Sequence, residues 1–201
     1  MNQYGFLENM SNLFSLIYTK MIFPRARLIR LPFYLRGKSA IEIGQGFTCG
    51  YACRFDLDTS HGKTLIIKND VRFGDNVHIV AHDRIEIGDN CLFASKIFIS
   101  DTSHGDMKNP DMASNPTIPP AKRPLTTSPV ILGKNIWVGE NVTILMGCSI
   151  GDGCIIGANS VVTRSIPSNS MAVGSPARVI KTYDFSQCLW TNSISSKGAS
   201  K

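Results

Sequence analysis

Fifteen apolar residues stand six apart, in three phased blocks, along this 201-residue chain. Ile43, Cys49 and Phe55 begin the series, and Ile67, Phe73 and Ile79 continue it. The phase shifts to Ile87, Phe93 and Ile99, and an unbroken run then passes through Leu132, Val138, Ile144, Ile150, Ile156 and Val162. A period of six fits neither the turn of an α-helix nor the alternation of an amphipathic strand. It fits a parallel β-helix, in which each hexapeptide supplies one short strand and one turn and sends its apolar residue into a shared core.

A second position, two before each core residue, is also apolar: Ile41, Phe47, Cys53, Leu65, Val71, Val77, Val130, Ile136 and Val142. The residue after the core position is often small, as at Gly44, Gly50, Gly74, Gly88, Gly133, Gly139 and Gly157. A small residue there suits a tight corner where a Cβ would crowd the neighbouring coil. With three hexapeptides to a coil, the series predicts about five coils.

The frame is interrupted three times. Between Phe55 and Ile67 one unit is replaced, between Ile79 and Ile87 two residues are added near His82, and between Ile99 and Leu132 the frame is lost. The segment 102–129 holds Pro110, Pro116, Pro119, Pro120, Pro124 and Pro129. So long an insertion in a compact repeat is usually functional, and its prolines stiffen it; it is expected to arch out as an arm. The plan expected is a helix over 1–23, ended by Pro24, within an N-terminal region 1–40 whose remainder is extended. A β-helix follows over 41–165, carrying the arm 102–129, then a closing segment 166–185 and a disordered tail 186–201.

No stretch has the length of uninterrupted apolar sequence needed to span a bilayer, and the N-terminus lacks the pattern of a secretory signal. These features predict a cytoplasmic protein. The six cysteines form no CxxC motif and are expected to be reduced and structural. The net charge of +6 is uneven: between Glu8 and Glu42 there is no acid, while Lys20, Arg25, Arg27, Arg30, Arg36 and Lys38 lie there. The stretch is either a solvated basic face or a peripheral contact with anionic lipid through residues 1–38, since Phe6, Leu7, Met10, Leu13, Phe14, Ile17 and Met21 form a helical apolar stripe. That stripe could equally pack on the first coil. Phosphate-loop motifs are absent, and the basic residues are not interleaved with aromatics, so no nucleic-acid partner is expected.

Five segments together resemble the left-handed β-helix acyltransferases. They are the hexapeptide frame, the step Ser100-Asp101-Thr102-Ser103-His104-Gly105, Asn135-Ile136-Trp137-Val138-Gly139, Ile155-Ile156-Gly157-Ala158-Asn159-Ser160-Val161-Val162-Thr163, and Gly174-Ser175-Pro176-Ala177-Arg178-Val179-Ile180. The resemblance covers about residues 41–183. It is nearest to the O-acetyltransferases of bacterial surface polysaccharide such as lipopolysaccharide O-antigen, because Tyr18-Thr19-Lys20, Arg27 through Pro32 and Ile97 through Asp101 also match. It implies an all-β fold, a left-handed parallel β-helix with a short N-terminal helix and a loop extruded after about residue 101. The left hand comes only from the resemblance, since ordinary parallel crossovers are right-handed.

The resemblance further implies an acetyl-coenzyme A dependent O-acetyltransferase that acts on a sugar hydroxyl as a homotrimer, with each site between two prisms. His104 matches the family's catalytic base. Asp101 or a backbone carbonyl could orient its ring. Trp137, the backbone N–H of Glu140, Ala158, Thr163 and Arg164 match the cofactor wall, and Arg178 and Lys181 match positions that meet the nucleotide phosphates. His82, Asn76 and Asp101 are candidates for the acceptor pocket, against plain surface or turn roles. Zinc is not expected, because the spacing of His61, His78, His82 and His104 does not reproduce the three-histidine order of the metal enzymes that share this fold. The other readings are an acetyltransferase of a small acceptor (an antibiotic, a free sugar or serine) and a non-catalytic β-helix scaffold.

Overall fold

The computed structural model describes residues 5–106 and 114–193. Residues 1–4 of the expected helix, 107–113 of the arm and 194–201 of the expected tail lie outside the described residues. Helix α1 (Phe6–Ile22) leads into a three-faced parallel β-helix. The first coil is β1 (Leu28–Ile29), β2 (Phe33–Arg36) and β3 (Ile41–Ile43); the second is β4 (Thr48–Cys49), β5 (Cys53–Leu57) and β6 (Leu65–Ile67). The third is β7 (Arg72–Phe73), β8 (His78–Ala81) and β9 (Ile85–Ile87). The fourth, β10 (Leu92–Phe93) and β11 (Phe98–Ser100), pauses for the arm strands β12 (Thr102–His104) and β13 (Leu125–Thr127) and closes with β14 (Val130–Leu132). The fifth is β15 (Trp137–Val138), β16 (Thr143–Ile144) and β17 (Ser149–Ile150). The sixth is β18 (Ile155–Ile156), β19 (Val161–Val162) and a bridge from Ile166 to Ile150. Strand β20 (Ser170–Val173) begins a seventh coil, and β21 (Arg178–Asp184) and β22 (Leu189–Asn192) fold back on it antiparallel.

Each face is therefore a column of parallel strands. Along the second face Phe55, Ile79, Ile99, Ile144 and Val162 stand in register; along the third, Ile43, Ile67, Ile87, Leu132 and Ile150 do. Of the fifteen core residues all but Ile43, which is half-buried, are buried, as are all nine of the second apolar positions. Phe73 fills the lower core, edge-on to Phe47, Phe55 and Phe93 at ring separations of 5.3, 6.1 and 4.8 Å.

The small residue after each core position has the expected cause. A Cβ on Gly139 would lie 2.7 Å from the Ala158 nitrogen in the coil above. The turn itself is made two residues later, at left-handed positions such as Asn76, Asn141 and Asn159, with φ of 57°, 57° and 59°. Asparagine tolerates this conformation better than most side-chain-bearing residues.

The prism starts earlier and ends later than the repeat alone indicates. Residues 28–36, expected as part of an extended leader, already form the first two faces of a coil, giving six full coils rather than five. Ile29 and Leu35 stand six apart like the rest, but an eight-residue step separates them from Ile43, so a block of only two units escapes the count. The tail is also corrected in part. Residues 189–192 form β22 along β21, with Trp190 edge-on to Tyr183 at 5.5 Å.

Helix α1 does not place its apolar stripe on the first coil. Its buried residues are Ser15 and Thr19. The Ser15 hydroxyl accepts the Leu31 N–H at 3.0 Å, and the Thr19 hydroxyl accepts the Ile29 N–H at 2.8 Å while donating to the Ser15 carbonyl at 2.6 Å. Main-chain donors of the first coil, which has no coil below it, are satisfied by these hydroxyls.

Candidate active site

All three interruptions of the period fall at the same corner, where the second face turns into the third. Residues 58–63 leave it in the second coil, residues 82–84 in the third, and the arm in the fourth. Because coils stack in register, these insertions lie one above another along a single edge. Counting hexapeptides in threes from Ile43 would have placed them there, since each follows a second-face unit.

Asp101 anchors this edge. It is fully buried at the root of the arm. Its carboxylate accepts the N–H of His82 at 2.9 and 3.1 Å and those of Asp83 and Arg84 at 2.8 Å each. Asp101 was a candidate for touching the acceptor or orienting His104; it is instead enclosed, with its oxygens occupied by the corner of the coil below. Three residues on, His104 is exposed on β12, opposite Leu125 of β13. The Ser128 N–H donates to the Asp101 carbonyl at 2.9 Å, closing the arm at its base.

Beneath the arm a groove of about 680 Å³ runs over the second face of the first three coils, lined by Arg36, Arg54, Asp56, Asp58, Ser60, His78 and His82 among others. Asp56 is its hub. Its carboxylate meets Arg54 at 2.6 Å, Arg36 at 3.1 Å and His78 Nε2 at 3.1 Å. Burial opposes the Asp56 charge, but the hydrogen bonds from Arg54 and His78 and the charges of Arg54 and Arg36 outweigh it and hold the carboxyl below its ordinary range. His78 leans on Phe98, with ring centroids 5.3 Å apart. His82 Nδ1 stands 3.7 Å from Asp58, whose carboxyl is held low by the hydroxyl and N–H of Ser60.

Of the acceptor candidates, His82 therefore lines the groove, Asp101 supports it from within, and Asn76 lies elsewhere, at the corner between the first and second faces. Arg54, Asp56 and Ser60 join the groove without any motif that marks them in the sequence. Arg54 and Asp56 could have been found as outward residues of a second-face strand, two apart, in register with His78 and Val80. Among the described residues no three His, Cys, Asp or Glu side chains gather as metal ligands. The cysteines are free thiols, Cys188 exposed and the others buried; burial pushes Cys91 up to about 11, which leaves it a weak nucleophile.

The residues matched to a cofactor wall fall into two groups. Trp137 is exposed on the first face, between Leu92 and Ile155 in register, and Glu140 and Ala158 follow at the corner between first and second faces. Gly139 and Ala158 approach so closely there that the wall is nearly bare backbone. Glu140 reaches down to the Ser95 N–H at 2.9 Å and to Lys96 at 3.7 Å. Arg178 opens β21 just beyond this corner, bonding the Ala177 carbonyl at 2.8 Å, and half-buried Lys181 lies further along the strand. Thr163 and Arg164 instead are exposed at the other end of the second face, two coils above His104. Within one prism, His104 and Glu140 thus occupy opposite edges of the second face.

Known proteins share this arrangement of coils. Residues 129–164 match the family model described as bacterial transferase hexapeptide (six repeats). An Escherichia coli (strain K12) protein that bears the name of a lipopolysaccharide biosynthesis O-acetyl transferase, WbbJ, is 42% identical over 175 residues, spanning 87% of this chain and 88% of its own. The chain belongs to the hexapeptide-repeat acetyltransferases. Membership fixes the hand of the β-helix as left and makes the protein an enzyme, so the scaffold reading is set aside. Another member of these hexapeptide-repeat acetyltransferases, the galactoside O-acetyltransferase of the same strain, is 36% identical over 126 residues, 61% of this chain and 56% of that one. The fold is shared with AntD, an N-acyltransferase from Bacillus cereus crystallised with dTDP and coenzyme A. Its TM-score is 0.68 at 23% identity, covering 85% of this chain and 90% of AntD.

Proposed function

We propose that this enzyme transfers the acetyl group of acetyl-coenzyme A to a sugar hydroxyl of a bacterial surface polysaccharide of the O-antigen type, or of its lipid-linked precursor. The observation that carries the reading is the place of His104. It is exposed at the root of the arm, on a strand tied through Asp101 to the His82 corner and so to the groove. The groove alternates cationic, anionic and hydroxyl groups, and such a lining suits the many donors and acceptors of a sugar.

The acceptor sugar lies in the groove with one hydroxyl against His104. The imidazole takes the hydroxyl proton as the oxygen attacks the thioester carbonyl. The backbone N–H of Glu140 faces the oxyanion that forms. The carbon–sulfur bond then breaks, the thiolate receives the proton from the imidazolium, and an acetyl ester and free coenzyme A leave. No acetyl-enzyme is needed. Trp137 and the Gly139–Ala158 backbone of one subunit line the pantetheine arm, Thr163 and Arg164 complete the wall from the arm edge of the next subunit, and Arg178 and Lys181 meet the phosphates.

The separation of His104 from Glu140 within one prism supports a homotrimer, in which the arm edge of one subunit lies beside the cofactor edge of the next and the three-fold arrangement closes. We place the reaction in the cytoplasm; no helix among the described residues is long and apolar enough to cross a membrane. The test is release of coenzyme A thiol with acetyl-coenzyme A and candidate acceptors. A lipid-linked repeat unit or polysaccharide fragment is expected to raise the rate well above that with free sugars, serine or aminoglycosides. Equal rates with all acceptors would overturn the acceptor class, and full activity in His104→Ala would overturn the base.

A further inference from the structure

Helix α1 turns Ser15 and Thr19 toward the β-helix and a stripe of apolar side chains away from it, while Tyr18 packs on the core. Successive residues advance about 100° around a helix. That step places Leu13, Phe6, Ile17, Met10, Met21, Phe14 and Leu7 in one stripe about 120° wide, centred opposite the buried Ser15 and Thr19. The stripe is solvent-facing: Leu7 is 82% exposed, Met21 75%, Phe14 61%, and Leu13 and Ile17 50% each. Surface helices of soluble domains show the reverse polarity, and a contiguous exposed apolar patch marks an interaction site.

The charge beside the stripe identifies the partner. The Lys20 ammonium bonds only main-chain carbonyls, Ala26 at 2.7 Å and Pro24 at 3.4 Å. Arg25 is exposed, and the Lys38 ammonium stands 5.9 Å over the Phe23 ring. None of these three cations has an acidic partner among the described residues. Glu8 is the only acid on α1, and it projects on the side of Ser15 and Thr19 rather than into the stripe.

We propose that α1 lies in the plane of an anionic lipid surface, its stripe at the acyl boundary and Lys20, Arg25 and Lys38 on the head groups. A second copy of this chain would have to bring acids to meet the same cations, and α1 offers none on that side. The helix packs on the first coil, at the same end of the prism as the groove of Arg36, Arg54 and His82. Docking would thus hold that groove near the head groups. The proposal stands on α1 and the cations beside it and holds whatever the acceptor is.

Co-sedimentation of the full chain with phosphatidylcholine vesicles, with and without phosphatidylglycerol, tests it. Binding is expected only with the anionic lipid and should weaken as salt is raised. Leu13→Asp with Phe14→Asp, both exposed, should lower the partition coefficient at least about tenfold while the melting temperature is kept. Arg25→Ala with Lys38→Ala should lower it about 25-fold, at about fivefold for each cation near an anionic surface. Absence of binding to anionic vesicles, or binding that neither double variant weakens, would overturn the proposal. So would sedimentation velocity in which the wild-type assembly falls apart in the Leu13→Asp, Phe14→Asp variant, because a second copy would then be the occupant.

Discussion

The backbone N–H of His82 donates to both oxygens of the Asp101 carboxylate, at 2.9 and 3.1 Å, across the step between two coils. With the N–H groups of Asp83 and Arg84 on the same carboxylate, an enclosed charge is balanced by three main-chain donors. Charge-assisted bonds of this kind are among the stronger ones a fold can use. Here they fix the corner that lines the groove to the root of the arm that bears His104.

Asp101→Asn follows directly. The amide keeps one acceptor oxygen but turns an NH2 group toward donors, leaving buried N–H groups unmatched. A loss of about 2–4 kcal/mol is expected. Urea denaturation measures it, and the turnover number should fall as well, because His104 ends the strand that begins immediately after Asp101. An unchanged midpoint would remove the anchoring role.

His104→Ala should lower kcat by about 10²- to 10⁴-fold, the usual contribution of a positioned base. Because the side chain is exposed, the melting temperature and the KM for acetyl-coenzyme A should stay near wild type. Thiol-release kinetics beside a melting curve separate the two effects.

At the corner between the first and second faces, Gly139→Val would drive a Cβ to 2.7 Å from the Ala158 nitrogen and 3.0 Å from its Cα. Backbone cannot give way as a side-chain tip can, so a cost of about 1–3 kcal/mol is expected. A raised KM for acetyl-coenzyme A should accompany it if this wall holds the pantetheine arm; an unaltered KM in the folded variant would place the cofactor elsewhere.

Asn141 combines a left-handed backbone with a side-chain bond to Asn159 Oδ1 at 2.9 Å. Asn141→Gly keeps the backbone and loses only the bond, whereas Asn141→Val also strains the turn by about 1–2 kcal/mol. Comparing the two by denaturation isolates the corner conformation.

Asp56 gives the protein an acid-sensitive component. Its folded carboxyl ionises below the ordinary 3.8, so in acid the unfolded chain binds the proton first and stability rises with pH through that window. The contribution is complete above the ordinary value and disappears as pH falls through the lowered folded one. Asp56→Asn should cost about 1–2 kcal/mol at neutral pH. Below about pH 4 its deficit against wild type should shrink; a deficit independent of pH would assign the loss to packing instead.

Much of this fold is legible in the chain because the hexapeptide rule is local. Each core residue, from Cys49 to Val162, is placed by a six-residue step and by a neighbour about one coil away in sequence, so the pattern can be read without knowing the final shape. The place of His104 at the root of the arm was legible for a related reason: it stands at the break in the period. Arg54, Asp56 and Ser60 were not, because a groove forms only when outward residues of successive coils fall into one column. Asp101 was misassigned because its partners are main-chain N–H groups, which no side-chain pattern records.

Short-range repetition alone sets the columns of the core, the small residues at crowded corners and the point where the arm departs. Contacts between coils set which corner the interruptions share, where the carboxylate of Asp101 goes, and which side of α1 meets solvent. The apolar stripe of α1 invites burial. Yet the main-chain donors of the first coil, with no coil beneath them, required the hydroxyls of Ser15 and Thr19, and satisfying them turned the stripe outward.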